Sequence, residues 1–171
     1  MHNHISYLIR VLQQSYFVPP HSGSGEPENI KDRKQEDNVM YEFSEKFLTG
    51  IEQIDREHKR LFEIADELYT LKNEEFIPDK YDNIRHILEE LRDYTLTHFE
   101  HEEEYMKSIG YKRMFTQVSQ HDALRETIGS WDLEAIDENQ DETIDEMLRL
   151  ITDWLVNHIL NEDKLIGQAG C

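Results

Sequence analysis

Tyr81-Asp-Asn-Ile-Arg-His-Ile-Leu-Glu-Glu-Leu-Arg-Asp-Tyr-Thr-Leu-Thr-His-Phe-Glu-His-Glu-Glu-Glu-Tyr-Met106 is the stretch on which the fold turns. Ile84, Ile87, Leu88, Leu91, Thr95, Tyr105 and Met106 recur in it at the three- and four-residue intervals of one helix face. Neither Pro nor Gly interrupts the run, and Gly110, just beyond it, is well suited to end a helix. The stripe has one irregularity. His98 follows Leu91 and Tyr94 on the apolar face, and Glu102 follows His98 four residues later, so two polar groups stand where burial is expected.

Reading outward, the same period appears three more times. A first helix carries Ile51, Ile54, Leu61, Phe62, Ala65 and Leu68, and ends at a break over 73–78, where Pro78 and Asp79 can open the second. A third carries Phe115, Val118, Leu124 and Ile128, with Trp131 at its end. The polar run 137–142 separates it from a fourth, with Ile144, Met147, Leu148, Ile151, Trp154, Leu155, Ile159 and Leu165. Four amphipathic helices with short connections bury their stripes against one another as an all-α, up-down-up-down four-helix bundle, and no strand is required.

The bundle is expected over residues 40–167, between an N-terminal extension of residues 1–39 and a short tail at 168–171. The extension opens with an apolar-rich segment, residues 4–18, followed by Pro19-Pro-His-Ser-Gly-Ser-Gly-Glu-Pro27, a breaker-rich linker. Arg10 interrupts the apolar segment and no small-residue cleavage site follows, so it does not read as a secretory signal. A partly ordered tail is expected there, with a short amphipathic docking helix as the alternative. His2, His4 and His21 within it are expected to be solvated.

The chain of 171 residues carries 18 Lys+Arg against 37 Asp+Glu, a formal net charge of −19, nearly all of it from Met40 onward. Phosphate backbones and anionic leaflets both need a basic face, so nucleic acid and membrane surfaces are excluded as partners. No stretch reaches the length of apolar residues that spans a bilayer. The single cysteine, Cys171, forms no intrachain disulfide, and a cytoplasmic setting is expected.

The chemistry lies in residues that should be apolar and are not. His58 sits between Ile54 and Phe62, His121 between Val118 and Leu124, and His158 four residues after Trp154. With His98, each of the four helices places a histidine on its core face. One such histidine is ordinarily a hydrogen-bonded core residue. Four on four helices, with a carboxylate, would be costly to bury unless a cation took their lone pairs. His and carboxylate donors from facing helices, without thiolate, suit iron or manganese better than structural zinc. On the fourth helix Glu162 lies at i+4 from His158 and Asp163 at i+5; regular helical spacing favours Glu162 but does not decide the choice.

Taken together, Gly50-Ile-Glu-Gln-Ile-Asp-Arg-Glu-His-Lys-Arg-Leu-Phe62, His98-Phe-Glu-His-Glu-Glu-Glu-Tyr-Met106, Tyr111 with His121, and Trp154-Leu-Val-Asn-His-Ile-Leu-Asn-Glu-Asp163 resemble a bacterial hemerythrin. The resemblance runs from about Met40 to Gly167 and covers all four helices in order. It implies a four-helix bundle around two iron ions, an oxo- or hydroxo-bridged non-haem pair, that binds dioxygen at one iron. Position by position it makes His58 and His98 ligands of the oxygen-binding iron, and His121 and His158 ligands of the other. It makes Glu102 and Asp163 bridging carboxylates, in preference to Glu162. Trp154 and Leu155 resemble residues that shape the oxygen pocket.

One position departs from the family pattern: Gln117 stands where the resemblance implies a second histidine four residues before His121. The second iron would then keep two imidazoles, with Gln117 coordinating through its amide oxygen or leaving an exchangeable position. His101 is expected to tilt off the core face. The resemblance thus implies an oxygen-binding protein, not an enzyme, serving delivery, scavenging or oxygen and redox sensing. The alternatives are a sensory input module acting on a protein partner or output domain, and a di-iron enzyme reducing peroxide or nitric oxide.

Overall fold

A computed structural model describes residues 41–170; the extension with its three histidines, and Cys171, lie outside the described residues. Four long helices carry the structure: α1 (Glu52–Asn73), α2 (Tyr81–Ser108), α3 (Met114–Gly129) and α5 (Gln140–His158). A short α4 (Leu133–Glu138) precedes α5. A π-helical turn (Ile159–Asp163) and a short α6 (Lys164–Ala169) continue from its end. No strand occurs among the described residues.

The helices begin and end where local chemistry requires it. Ahead of α1, Gly50 adopts φ +87°, and the Asp55 carboxylate reaches back to accept from the Thr49 N–H and hydroxyl and from the Gly50 N–H. These bonds fix the turn that leads into α1, and the Thr49 hydroxyl in turn accepts from the Ile51 N–H at the N-cap. At the end of α2, Gly110 takes φ +63°. There the Tyr111 N–H donates to the Met106 carbonyl and the Gly110 N–H to the Lys107 carbonyl, the paired bonds of a Schellman stop. The α4 start is capped by the Asp132 side chain, which accepts from the Glu134 N–H.

Consecutive long helices run antiparallel. Lys72, at the end of α1, pairs with Asp145 near the start of α5. Arg92, midway along α2, donates to the carbonyls of Ile128 at the end of α3 and Trp131 just beyond it. Their inward stripes form the core: Ile64, Leu68, Ile84, Leu88, Phe99, Met106, Ile144 and Met147 are essentially inaccessible to solvent. Phe47, in a 3-10 turn (Glu45–Phe47) ahead of α1, adds to it and packs against Phe62 and Phe43. Gly167 of α6 lies so close to the segment before α1 that a Cβ there would stand 1.9 Å from the Thr49 carbonyl oxygen.

Three expectations are corrected. Phe115 is 87% exposed, not part of the core stripe. It lies two residues before the buried Gln117, about 200° round the helix and therefore on the far face. The run 137–142 is not a plain connector, since α4 occupies its first residues and α5 its last. The terminal helix continues to Ala169, two residues beyond the expected end of the bundle at Gly167.

Candidate metal centre

The histidines and carboxylates singled out from the sequence lie at one end of the bundle. His58 stands in the second turn of α1, His98 and Glu102 in the last turns of α2, His121 midway along α3, and His158 at the end of α5. All are buried, as are Asp163 and Gln117. Two groups of donor atoms form, each with all its members within 4.8 Å of one another: His58, His98 and Glu102, and Glu102, His121, His158 and Asp163.

The two carboxylates touch imidazoles of both groups. Glu102 lies 3.7 Å from His58 Nε2, 3.7 Å from His98 Nε2 and 3.3 Å from His121 Nε2. Asp163 presents Oδ1 at 3.1 Å from His158 Nε2 and Oδ2 at 3.4 Å from His58 Nε2. The Nε2 atoms of His121 and His158 face each other at 3.2 Å. Cis donors around an octahedral ion with bonds of about 2.1 Å stand about 3.0 Å apart, so these separations suit donors sharing an ion.

The hydrogen-bond ledger points the same way. His58 Nδ1 and Nε2, His98 Nε2, both oxygens of Glu102 and of Asp163, and both amide atoms of Gln117 are buried without a hydrogen-bond partner. Orphaned polar atoms are rare in folded proteins, and leaving them unpaired costs roughly 1–3 kcal/mol each. Without a cation, burial and the neighbouring Asp163 charge push the Glu102 carboxyl up to about 8. Burial also works against the Asp163 charge, but the close His158 and His58 rings outweigh it and hold that carboxyl well below its usual range. The donor set fits two adjacent cations sharing both carboxylates.

Position i+5 reaches the site because the helix widens. Between His158 and Asp163 the chain makes a π turn, which brings Asp163 under His158 and leaves Glu162 facing Arg113 Nη2 at 2.8 Å.

A second layer of carboxylates, which the sequence reading did not identify, holds the rings. Glu57 accepts from His98 Nδ1 at 3.0 Å and from His101 Nδ1 at 2.6 Å. Burial disfavours its charge, but bonds from His98, Gln53 and His101 together keep its pKa below the usual range. Glu103 accepts from His121 Nδ1 at 3.0 Å and is held in turn by Arg125 Nη2 at 3.0 Å. Burial lowers the His121 pKa against the opposing pull of Glu103. Each pair spans two helices, so no short-range spacing announces it. Two of the imidazoles also stack on aromatic rings. Phe99 stacks face to face on His121 at 3.9 Å, and Trp154 stacks on His158 at 4.1 Å. Trp154 and Leu155, with Leu61, Leu91 and Ile151, line an apolar cavity of about 20 Å³.

His101 stands off the cluster, half exposed and joined to Glu57. Among the described residues, no helix is long and apolar enough to cross a membrane.

Comparison with known proteins gives the family. Residues 49–169 match the family described as Hemerythrin HHE cation binding domain. The chain is 43% identical to the bacteriohemerythrin of Clostridium acetobutylicum over 125 residues, 73% of this chain and 97% of that protein. It is 31% identical to that of Pseudomonas aeruginosa over 115 residues (67% and 71%), and 30% identical to that of Methylococcus capsulatus over 125 residues (71% and 88%). On its family match, its helical bundle and its paired donor groups, the chain belongs to the hemerythrin HHE cation-binding domain family.

Proposed function

We propose that this protein binds dioxygen reversibly at a pair of irons held by His58, His98, Glu102, His121, His158 and Asp163. The observation that carries the reading is the two groups of buried, unpartnered donors joined through Glu102. A pair of ferrous ions supplies the electrons and the free coordination position that reversible dioxygen binding requires.

The chain's own residues determine how that chemistry is housed. Glu57 and Glu103 accept from the Nδ1 atoms of His98 and His121, which fixes the tautomer and leaves Nε2 facing the centre. Phe99 and Trp154 hold the planes of His121 and His158. The apolar cavity beside Trp154 and Leu155 offers a dry space for a small apolar molecule, and these two residues are the proposed oxygen pocket. With Gln117 in place of a histidine, a second iron would be held by two imidazoles, His121 and His158, with an exchangeable position, and the oxygenated protein should oxidise faster than with a full histidine set.

Metal analysis and visible spectra test the reading. Two irons per chain, with an absorption band that bleaches and returns as dioxygen is removed and restored, are expected. Iron-free, colourless protein after growth with ample iron would overturn it. The Gln117→His variant should hold its oxygenated band longer; equal lifetimes would remove the role given to Gln117. Peroxide turnover well above that of free ferrous ion would instead mark a reductase, which the same open position favours. A redox-dependent change in self-association would mark a sensor.

A further inference from the structure

We infer that Gln117 turns the His121–His158 half of the centre into a binding subsite for a small monovalent anion, which occupies the open metal position and accepts a hydrogen bond from the Gln117 amide. The inference rests on the di-iron reading above and extends it to a second ligand.

The donor count comes first. Two imidazoles, His58 and His98, serve one half, and two, His121 and His158, serve the other, with Glu102 and Asp163 shared. Loss of the third imidazole makes the halves equal. With one bridging oxygen, each of two octahedral ions held there would have five donors, so an open position would remain on both halves and not on one alone.

Gln117 supplies the second observation. It is 0% exposed and lies one turn before His121 on the same face of α3, and neither its Oε1 nor its Nε2 has a hydrogen-bond partner. A histidine there would spend its nitrogen on the metal. A glutamine free of the metal instead keeps an uncommitted N–H donor one turn from His121, available to a ligand at the vacated position. His98 and His121 have already committed their Nδ1 atoms to Glu57 and Glu103.

Charge selects the ligand class. Two ferric ions bring six positive charges. The two carboxylates and an oxide bridge remove four, leaving an excess in a buried site where it is poorly solvated. The neutral amide does not offset it, whereas a monovalent anion beside that amide does and also satisfies its N–H. Azide, nitrite and hydroperoxide share the required chemistry: one negative charge, a small size and a lone pair for the donor.

Azide titration of the ferric, iron-loaded protein tests this, followed by the azide-to-iron absorption band and by calorimetry, with iron content measured on every sample. Wild type should bind two azides per pair of irons, and Gln117→His one. Gln117→Leu, which keeps the position open without a donor, should bind two, the second about tenfold more weakly than in wild type. A single azide on wild-type protein holding two irons would overturn the inference while leaving the di-iron reading intact; that is also the result if Oε1 itself ligates the metal. Equal affinity for the second azide in wild type and Gln117→Leu would overturn the role of the amide. Wild-type protein that takes up no iron would overturn both.

Discussion

The metal-free protein should become less stable as the pH rises from 6.5 to 8, and the Glu102 carboxyl is the cause. Burial and the Asp163 charge push its pKa up to about 8 in the folded chain, against 4.5 for an ordinary glutamate. Between those values the native state holds a proton that the unfolded chain has released, so unfolding free energy falls with pH, by about 1.4 kcal/mol per unit at the full slope. His121 acts in the opposite sense. Its lowered pKa means that the unfolded chain binds more protons as the pH falls through 6.5, so its contribution rises with pH through 6.5 and is complete only about one pH unit above it. Asp163 follows the depressed-carboxylate pattern. Its contribution is present above 3.8 and is lost as acid titrates it. From 6.5 to 8 the Glu102 contribution outweighs the remainder from His121 and, allowing for its own titration near 8, amounts to about 2 kcal/mol. Urea unfolding of chelator-treated protein at the two pH values, for wild type and Glu102→Gln, isolates it, because every other group is common to both. The wild type should lose about 2 kcal/mol more than the variant. Parallel profiles would refute the burial argument. A divalent cation must displace that proton to use the carboxylate, so loading at pH 7 should release about one proton per Glu102, measurable from the buffer dependence of the binding heat.

Other consequences are more local. Glu57→Gln keeps one acceptor where His98 and His101 each use one, and should lower iron affinity by roughly 10- to 100-fold in a chelator competition while helicity is unchanged. Gly167→Ala places a Cβ against the Thr49 carbonyl and should cost about 1–3 kcal/mol in urea unfolding, by overpacking and not by loss of any ligand. Ile144→Ala empties a fully buried site on α5, remote from the donors, and should cost about 2–5 kcal/mol while leaving iron stoichiometry at the wild-type value.

The bundle was legible because α1, α2 and α5 bury mostly aliphatic side chains, so the helical period stands out in their composition. α3 is legible from the same period but on fewer apolar residues. Of its four buried residues, Gln117 and His121 are polar, leaving only Leu124 and Ile128 to mark the inner face. Its apolar pattern is therefore weak, and Phe115, the most hydrophobic residue of its first turn, points to solvent. The feature that blurs the helix as a core element is the one that marks it as a donor element. The supporting carboxylates were hidden by the opposite circumstance. Glu57 and Glu103 each sit one residue from a proposed ligand, in a chain where acidic residues are everywhere, and only the approach of a second helix distinguishes them from solvated glutamates.

The choice between Glu162 and Asp163 shows where spacing arguments fail. At 3.6 residues per turn, i+4 lies within about 40° of the starting residue and i+5 about 140° away, so a regular helix would bring Glu162 to the metal and turn Asp163 outward. The π turn reverses this by admitting one extra residue between His158 and its partner. Glu162 is thereby displaced toward Arg113, which satisfies its charge at the rim, while Asp163 enters fully buried with an oxygen for each half of the centre. The shorter side chain suits that geometry. With the backbone bulged inward, a carboxylate on one methylene reaches both His158 and His58, and the second methylene of a glutamate would need to fold back in a site already filled by four imidazoles. A widened turn leaves no compositional trace in Ile159-Leu-Asn-Glu-Asp163, so the carboxylate that spacing ranked lower is the one the backbone brings to the donor cluster.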